Sequence, residues 1–151
     1  MEGNIMLLFG KLISVFLPSR LKKQSITNVV SIESLESRAM LATFSVSNLN
    51  NSGVGSFRDA IDQANANAGA DEIAFTVAGS VSLTESLPLI TQPVLIDGST
   101  APSFDGTPVV AINFDGASGF EFHEGSDGST LQSLAIVNAG TAGVTVSSND
   151  V

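Results

Sequence analysis

From Thr43 onward, apolar and polar residues alternate in short runs closed by Gly, Asp, Ser or Asn. "TFSVSNL" (43–49) sets Phe44 and Val46 on one face and Ser45 and Ser47 on the other, which predicts a half-buried strand. "NNSGVG" (50–55) reads as a turn cluster. The period then changes once. In "SFRDAIDQANAN" (56–67), Phe57, Ala60, Ile61 and Ala64 fall on a single helical stripe, with Arg58, Asp62 and Gln63 facing outward. Ser56 is a good N-cap, Asp59 puts a carboxylate in the first turn, and Gly69 stops the helix. Arg58 and Asp62, four apart, are expected to pair on the solvent side. So short a helix is marginal alone, and its Phe57/Ile61 stripe must cover something.

After the helix the pattern returns to strands. "EIAFTV", "SVSL", "PVLIDG", "VVAINFDG", "GFEF", "LQSLAIVN" and "GVTV" are short, rich in Val, Ile and Phe, and closely spaced. The later ones repeat: "SGFEFHEGSDGSTL" and "AGVTVSSNDV" share a small residue, Gly, and an apolar–polar–apolar run. Gly119 and Gly143 are 24 residues apart. One strand per side at such a step predicts an all-β fold, a right-handed parallel β-helix solenoid with a short N-terminal capping α-helix. The helix would cover the open end of the first coil, where apolar side chains and unpaired backbone would otherwise face water. The run to Val151 holds no second cap, so the reading predicts a body incomplete at its C-terminus.

The first 42 residues read differently. "IMLLFGKLISVFL" (5–17) is apolar but too short to span a bilayer, and Lys11 interrupts it. Its place suits the apolar region of an export signal, although the basic "RLKK" follows that run. The competing reading is an amphipathic surface helix. "LESRAMLA" (35–42) resembles the Leu-Glu-x-Arg-x-x-Leu-Ala signature of planctomycete-type secreted and surface proteins, matched by Leu35, Glu36, Arg38, Leu41 and Ala42. That resemblance implies an export leader over 1–42, a mature domain over 43–151 and an extracellular or cell-surface location. The spacing of small residues usual before a cut is missing, and the end of the leader is placed at Ala42.

A second resemblance lies in "NNSGVGSFRDAIDQANANAGADEIAF" (50–75). It is similar to the head segment of bacterial right-handed β-helix proteins through Gly55, Ser56, Arg58, Ala60, Ile61, Ala64, Asn65, Gly69, Ala70, Asp71, Ile73 and Phe75. Some relatives carry a Cys before the helix, and this chain has none. The resemblance supports the capping helix, with Ser56, Phe57, Arg58, Ala60, Ile61 and Ala64 as its working residues.

Charge sharpens the division. Residues 1–42 carry five basic and three acidic side chains, while 43–151 carry twelve acids against Arg58 alone. An acidic body repels phosphate backbones, which argues against nucleic-acid partners. With no Cys in the chain there is no disulfide, thiolate metal site or cysteine nucleophile. Calcium is the one cofactor left open, through the Asp-Gly pairs at Asp97, Asp105, Asp115 and Asp127. Turn formation explains the same pairs, and neither an EF-hand loop nor a Gly-Gly-x-Gly-x-Asp repeat is present. His123 lies beside Glu121 and Glu124 and could act as a base. Alternation with Phe120 and Phe122 puts Glu121 and His123 on an outer face, where a lone His is ordinary surface.

These readings predict an exported, acidic β-helix protein with a structural or adhesive role, no catalytic residues, and an extracellular polysaccharide or protein as partner. The alternative is a polysaccharide-degrading β-helix lyase or glycoside hydrolase, or its N-terminal part. A lyase needs Arg or Lys against an acidic sugar and the body supplies one Arg; a hydrolase needs a carboxylate pair that the sequence does not place.

Overall fold

The computed structural model describes residues 5–8, 11–14 and 41–147. Two units separate, Met1–Glu33 and Ser34–Val151. In the first, β1 (Ile5–Leu8) pairs antiparallel with β2 (Lys11–Ser14). The stretch read as an export-signal core or a surface helix thus contains a two-stranded ribbon. No helix among the described residues is long and apolar enough to cross a membrane.

The second unit begins with β3 (Thr43–Val46), followed by α1 (Phe57–Ala66). Ser56 caps the helix by accepting from the Asp59 backbone N–H at 3.2 Å. The Asp59 carboxylate returns to the Gly55 N–H at 2.9 Å, so the first turn satisfies donors in both directions. Asn67, in extended backbone, ends the helix before Gly69 is reached. Phe57, Ala60, Ile61 and Ala64 are all buried.

The remaining strands are β4 (Asp71–Phe75), β5 (Gly79–Ser82), β6 (Val94–Asp97), β7 (Val110–Asn113), β8 (Phe120–Phe122), β9 (Thr130–Gln132), β10 (Leu134–Val137) and β11 (Val144–Val146). A 3-10 turn, Gly98–Thr100, follows β6. They form three separate sheets, ordered β3-β4-β6-β9, β5-β7-β10 and β8-β11, and every pair in them is parallel. Alternation buries one side of each: Ile73 and Phe75 on β4, Val110 and Ile112 on β7, Phe120 and Phe122 on β8. Helix α1 packs on β3 and β4. From it Phe57 meets Phe75 at 5.5 Å and Phe120 at 5.9 Å between ring centroids. Phe114 closes edge-on against Phe120 at 5.4 Å.

The right-handed parallel β-helix solenoid is therefore corrected. A solenoid repeats one coil at a near-constant step. Here Thr43 faces Glu72 and Asp71 faces Val94, yet Leu95 faces Thr130 and Gly79 faces Val110. The helix fills the first interval, and the 3-10 turn with the exposed loop behind it lengthens another. What forms is a compact globular α/β domain: one helix on a four-stranded parallel sheet, with two smaller parallel sheets, and not an elongated repetitive stack. The 24-residue spacing seen at Gly119 and Gly143 is local to the later strands.

Correcting the fold also removes what was built on it. The resemblance to β-helix head segments is withdrawn. So are the structural or adhesive role and the β-helix polysaccharide lyase or hydrolase, each of which requires an extended scaffold. Among the described residues no catalytic cluster stands in their place.

Candidate functional site

Two ends of the sheets are finished differently. On the side of β3, β5 and β8, helix α1 and the loop before it occupy the backbone. Asn65 donates through Nδ2 to the Leu89 carbonyl at 2.7 Å and accepts the Thr91 N–H at 2.9 Å. Its side-chain amide imitates a neighbouring strand just where Ile90 bridges in parallel to Phe122. Asn51 accepts the Thr84 N–H through Oδ1 at 3.0 Å.

Arg58 belongs to the same seam. It donates to the carbonyls of Ser86 at 2.6 Å, Glu85 at 3.1 Å and Asn51 at 3.3 Å, with the Glu85 carboxylate at 3.9 Å. The expected pairing with Asp62 is thus replaced. Three carbonyls in reach of one planar guanidinium suit its fork of donors better than a solvated carboxylate on the next turn.

On the other side lie the edges of β9, β10 and β11, which have no outer backbone partner among the described residues. The apolar rows also end here. Leu131 stacks in register on Ile96, Leu134 and Ile136 on Val110 and Ile112, and Val144 and Val146 on Phe120 and Phe122. The inner partners are buried, whereas Val144 is 42% and Val146 72% exposed. Nothing in the described residues continues the rows.

A cleft of about 420 Å³ opens beside β11. Phe122, Leu131, Val144 and Val146 give its apolar wall, and His123, Glu124, Ser126, Asp127, Ser129 and Ser147 its polar rim. Two consecutive turns shape the rim. The Ser126 hydroxyl donates to the His123 carbonyl and the Ser129 hydroxyl to the Ser126 carbonyl, each at 2.6 Å. Ser129 Oγ also accepts the Val94 N–H at 3.0 Å. Both hydroxyls are therefore committed to the backbone, and neither is set up as a nucleophile. Gly125, at φ +93°, lies so close to the Thr91 carbonyl that a Cβ would come within 2.7 Å of it.

His123 is half-buried at the cleft, after β8 rather than on it, with Glu121 on the strand and Glu124 exposed. The calcium candidates are dispersed. Asp105 and Asp115 lie in exposed turns, Asp127 on the cleft rim and Asp97 at the end of β6. Among the described residues no three His, Asp or Glu side chains gather as metal ligands. Gly106, Gly116 and Gly128, after three of these Asp residues, hold positive φ as turns require. Gly98, after Asp97, instead lets the Ser133 carbonyl approach.

Asp97 is nearly buried and accepts the Ser99 N–H at 2.8 Å. Burial pushes its carboxyl pKa up, but hydrogen bonds from Ser99 and Gln132 outweigh that and hold it below the ordinary carboxylate range.

Of the leader signature, Leu35, Glu36 and Arg38 lie outside the described residues. Leu41 is 57% exposed, whereas Ala42 is tied to β4: its N–H donates to Asp71 and its carbonyl accepts from Glu72. Sequence reasoning expected no cap after the last strand; it missed Asn65 as a strand substitute and the burial of Asp71. The Val-Thr-Val of 144–146 carried the only legible signal, since its alternation demands a covered face. Comparison with protein-family models, curated proteins and solved structures gave no match.

Proposed function

We propose that this domain is a non-catalytic recognition module that binds an extended polypeptide by strand addition at β9, β10 and β11. The carrying observation is the termination of the apolar rows on Leu131, Leu134, Ile136, Val144 and Val146 beside a parallel edge that has no partner among the described residues. A bound strand would take main-chain hydrogen bonds from the edge and set alternate side chains over the valines. Charge selects the partner. Glu124 and Asp127 rim the cleft, and twelve acids face a single Arg over 43–151. The partner is accordingly a segment alternating apolar with basic residues, and nucleic acid is disfavoured by the same field. The leader-like 1–42 supports an exported location, which makes that partner an extracellular protein.

Titration of the full chain with labelled peptides tests this, one alternating Val with Lys and one alternating Val with Glu. The Val/Lys peptide binds, loses affinity with added salt, and binds at least tenfold more weakly to Val146→Lys. Equal binding of both peptides, or binding by neither, overturns the proposal. Concentration-dependent dimerisation in sedimentation, abolished by Val146→Lys, would assign the edge to a second copy and overturn it equally.

A further inference from the structure

Asp71 opens β4 at 1% exposure, and its two carboxylate oxygens are treated unequally. Oδ1 accepts both the Ala42 backbone N–H at 3.2 Å and Asn67 Nδ2 at 2.8 Å. Oδ2 is buried without a hydrogen-bond partner among the described residues. Buried carboxylate oxygens are ordinarily satisfied, so the vacant one asks for a donor. Ala42, already bonded to Oδ1, presents a peptide N–H with one hydrogen and no charge. An α-ammonium at the same nitrogen would bring three hydrogens and a full positive charge.

We infer that Leu41–Ala42 is a processing site, and that the new N-terminal ammonium of Ala42 pairs with Asp71. Water adds across the amide: the C–N bond breaks, the water oxygen enters the new Leu41 carboxylate, and the Ala42 nitrogen leaves as an amine that takes up a proton. The reaction belongs to a peptidase that accepts Leu before the cut. Accessibility changes at this bond, since Leu41 is 57% exposed while the Ala42 carbonyl accepts the Glu72 N–H at 2.8 Å. A cut one residue later, where the sequence alone places the leader's end, would remove that bond and Asp71's backbone donor together.

On β4 the neighbouring Glu72 is engaged by Thr43 Oγ1 at 3.2 Å. The helix end brings neutral Asn67, and the β6 side brings Val94 and the Pro93 carbonyl that accepts the Asp71 N–H.

Two measurements test the inference. The full chain is expressed in a secreting bacterial host, and the exported product is read by N-terminal sequencing and intact mass. It begins at Ala42; a start at any other residue, or an uncut exported chain, overturns the assignment. In the second, residues 37–41 of the full chain are replaced by the recognition sequence of a protease that leaves Ala42 first, and melting is followed before and after cutting. Cutting raises Tm at about pH 6. The free α-amine titrates near about 7.7–8.0 and its carboxylate partner raises it, so the gain is complete below that range and lost as pH climbs through the raised value. In Asp71→Asn cutting gives no such pH-dependent gain. A gain that ignores pH, or that persists in Asp71→Asn, overturns the ion pair.

Discussion

At the residue scale, the most informative side chains are polar groups that replace missing backbone. Asn65 gives the segment at Leu89–Thr91 both bonds that a further strand would give. Asn65→Leu keeps the size and loses both; the freed Leu89 carbonyl is exposed and turns to water, whereas the part-buried Thr91 N–H is left without a partner, at about 1–3 kcal/mol. The variant is expected to lose about 1–3 kcal/mol in denaturant unfolding, and an unchanged midpoint would refute the strand-substitute role. Asp97 makes a pH prediction. Its folded pKa is depressed, so its contribution is present above the unfolded value of about 3.9 and is lost as pH falls through the folded one. Thermal melts from neutral to acid should show the wild type's margin over Asp97→Asn constant above about pH 4 and shrinking below it.

At the element scale, α1 is held by its buried stripe more than by its own propensity. Phe57 is wholly buried against Phe75 and Phe120, so Phe57→Ala is expected to cost about 3–5 kcal/mol. Ser56→Ala removes only the cap bond to Asp59 and should cost about 1 kcal/mol. Urea unfolding that ranked these two the other way would show that capping, not packing, anchors the helix. The strands teach a related lesson. "LQSLAIVN" reads as one strand, but Ser133 turns to φ +57° and divides it into β9 and β10, which join different sheets. The break suits the close approach of the Ser133 carbonyl to Gly98, a contact 35 residues away in the chain that local alternation does not encode.

At the scale of the whole molecule, the domain is asymmetric among the described residues: helix and loop side chains close one end, and at the other no described residue covers the apolar rows. Exposed edges of this kind favour association. Val144→Thr with Val146→Thr keeps β-branched residues while reducing the apolar face, and should lower light scattering at high protein concentration without lowering the unfolding free energy by more than about 1 kcal/mol. Unchanged scattering would show that these valines do not drive association.

The helix and the approximate positions of the strands are legible in the sequence. Changes of period and turn residues are local, and Phe57, Ile61 and the alternating strand residues declare their faces through chemistry alone. The acidic body and the lack of Cys are likewise properties of the chain itself. The arrangement was not legible. A regular solenoid was expected because the 24-residue echo of Gly119 and Gly143 is a short-range signal, whereas sheet membership depends on loop lengths and on contacts distant in sequence. Arg58 carried a charge that suggested Asp62, yet only the folded chain brings Ser86, Glu85 and Asn51 around it. Asp71 is an ordinary acid in the sequence, and its Oδ2 is buried without a partner among the described residues only because folding sets it beside Ala42. Sequence determined which residues seek burial and which local backbone they adopt; tertiary structure decided which of them meet, because meeting depends on the closure of the whole chain.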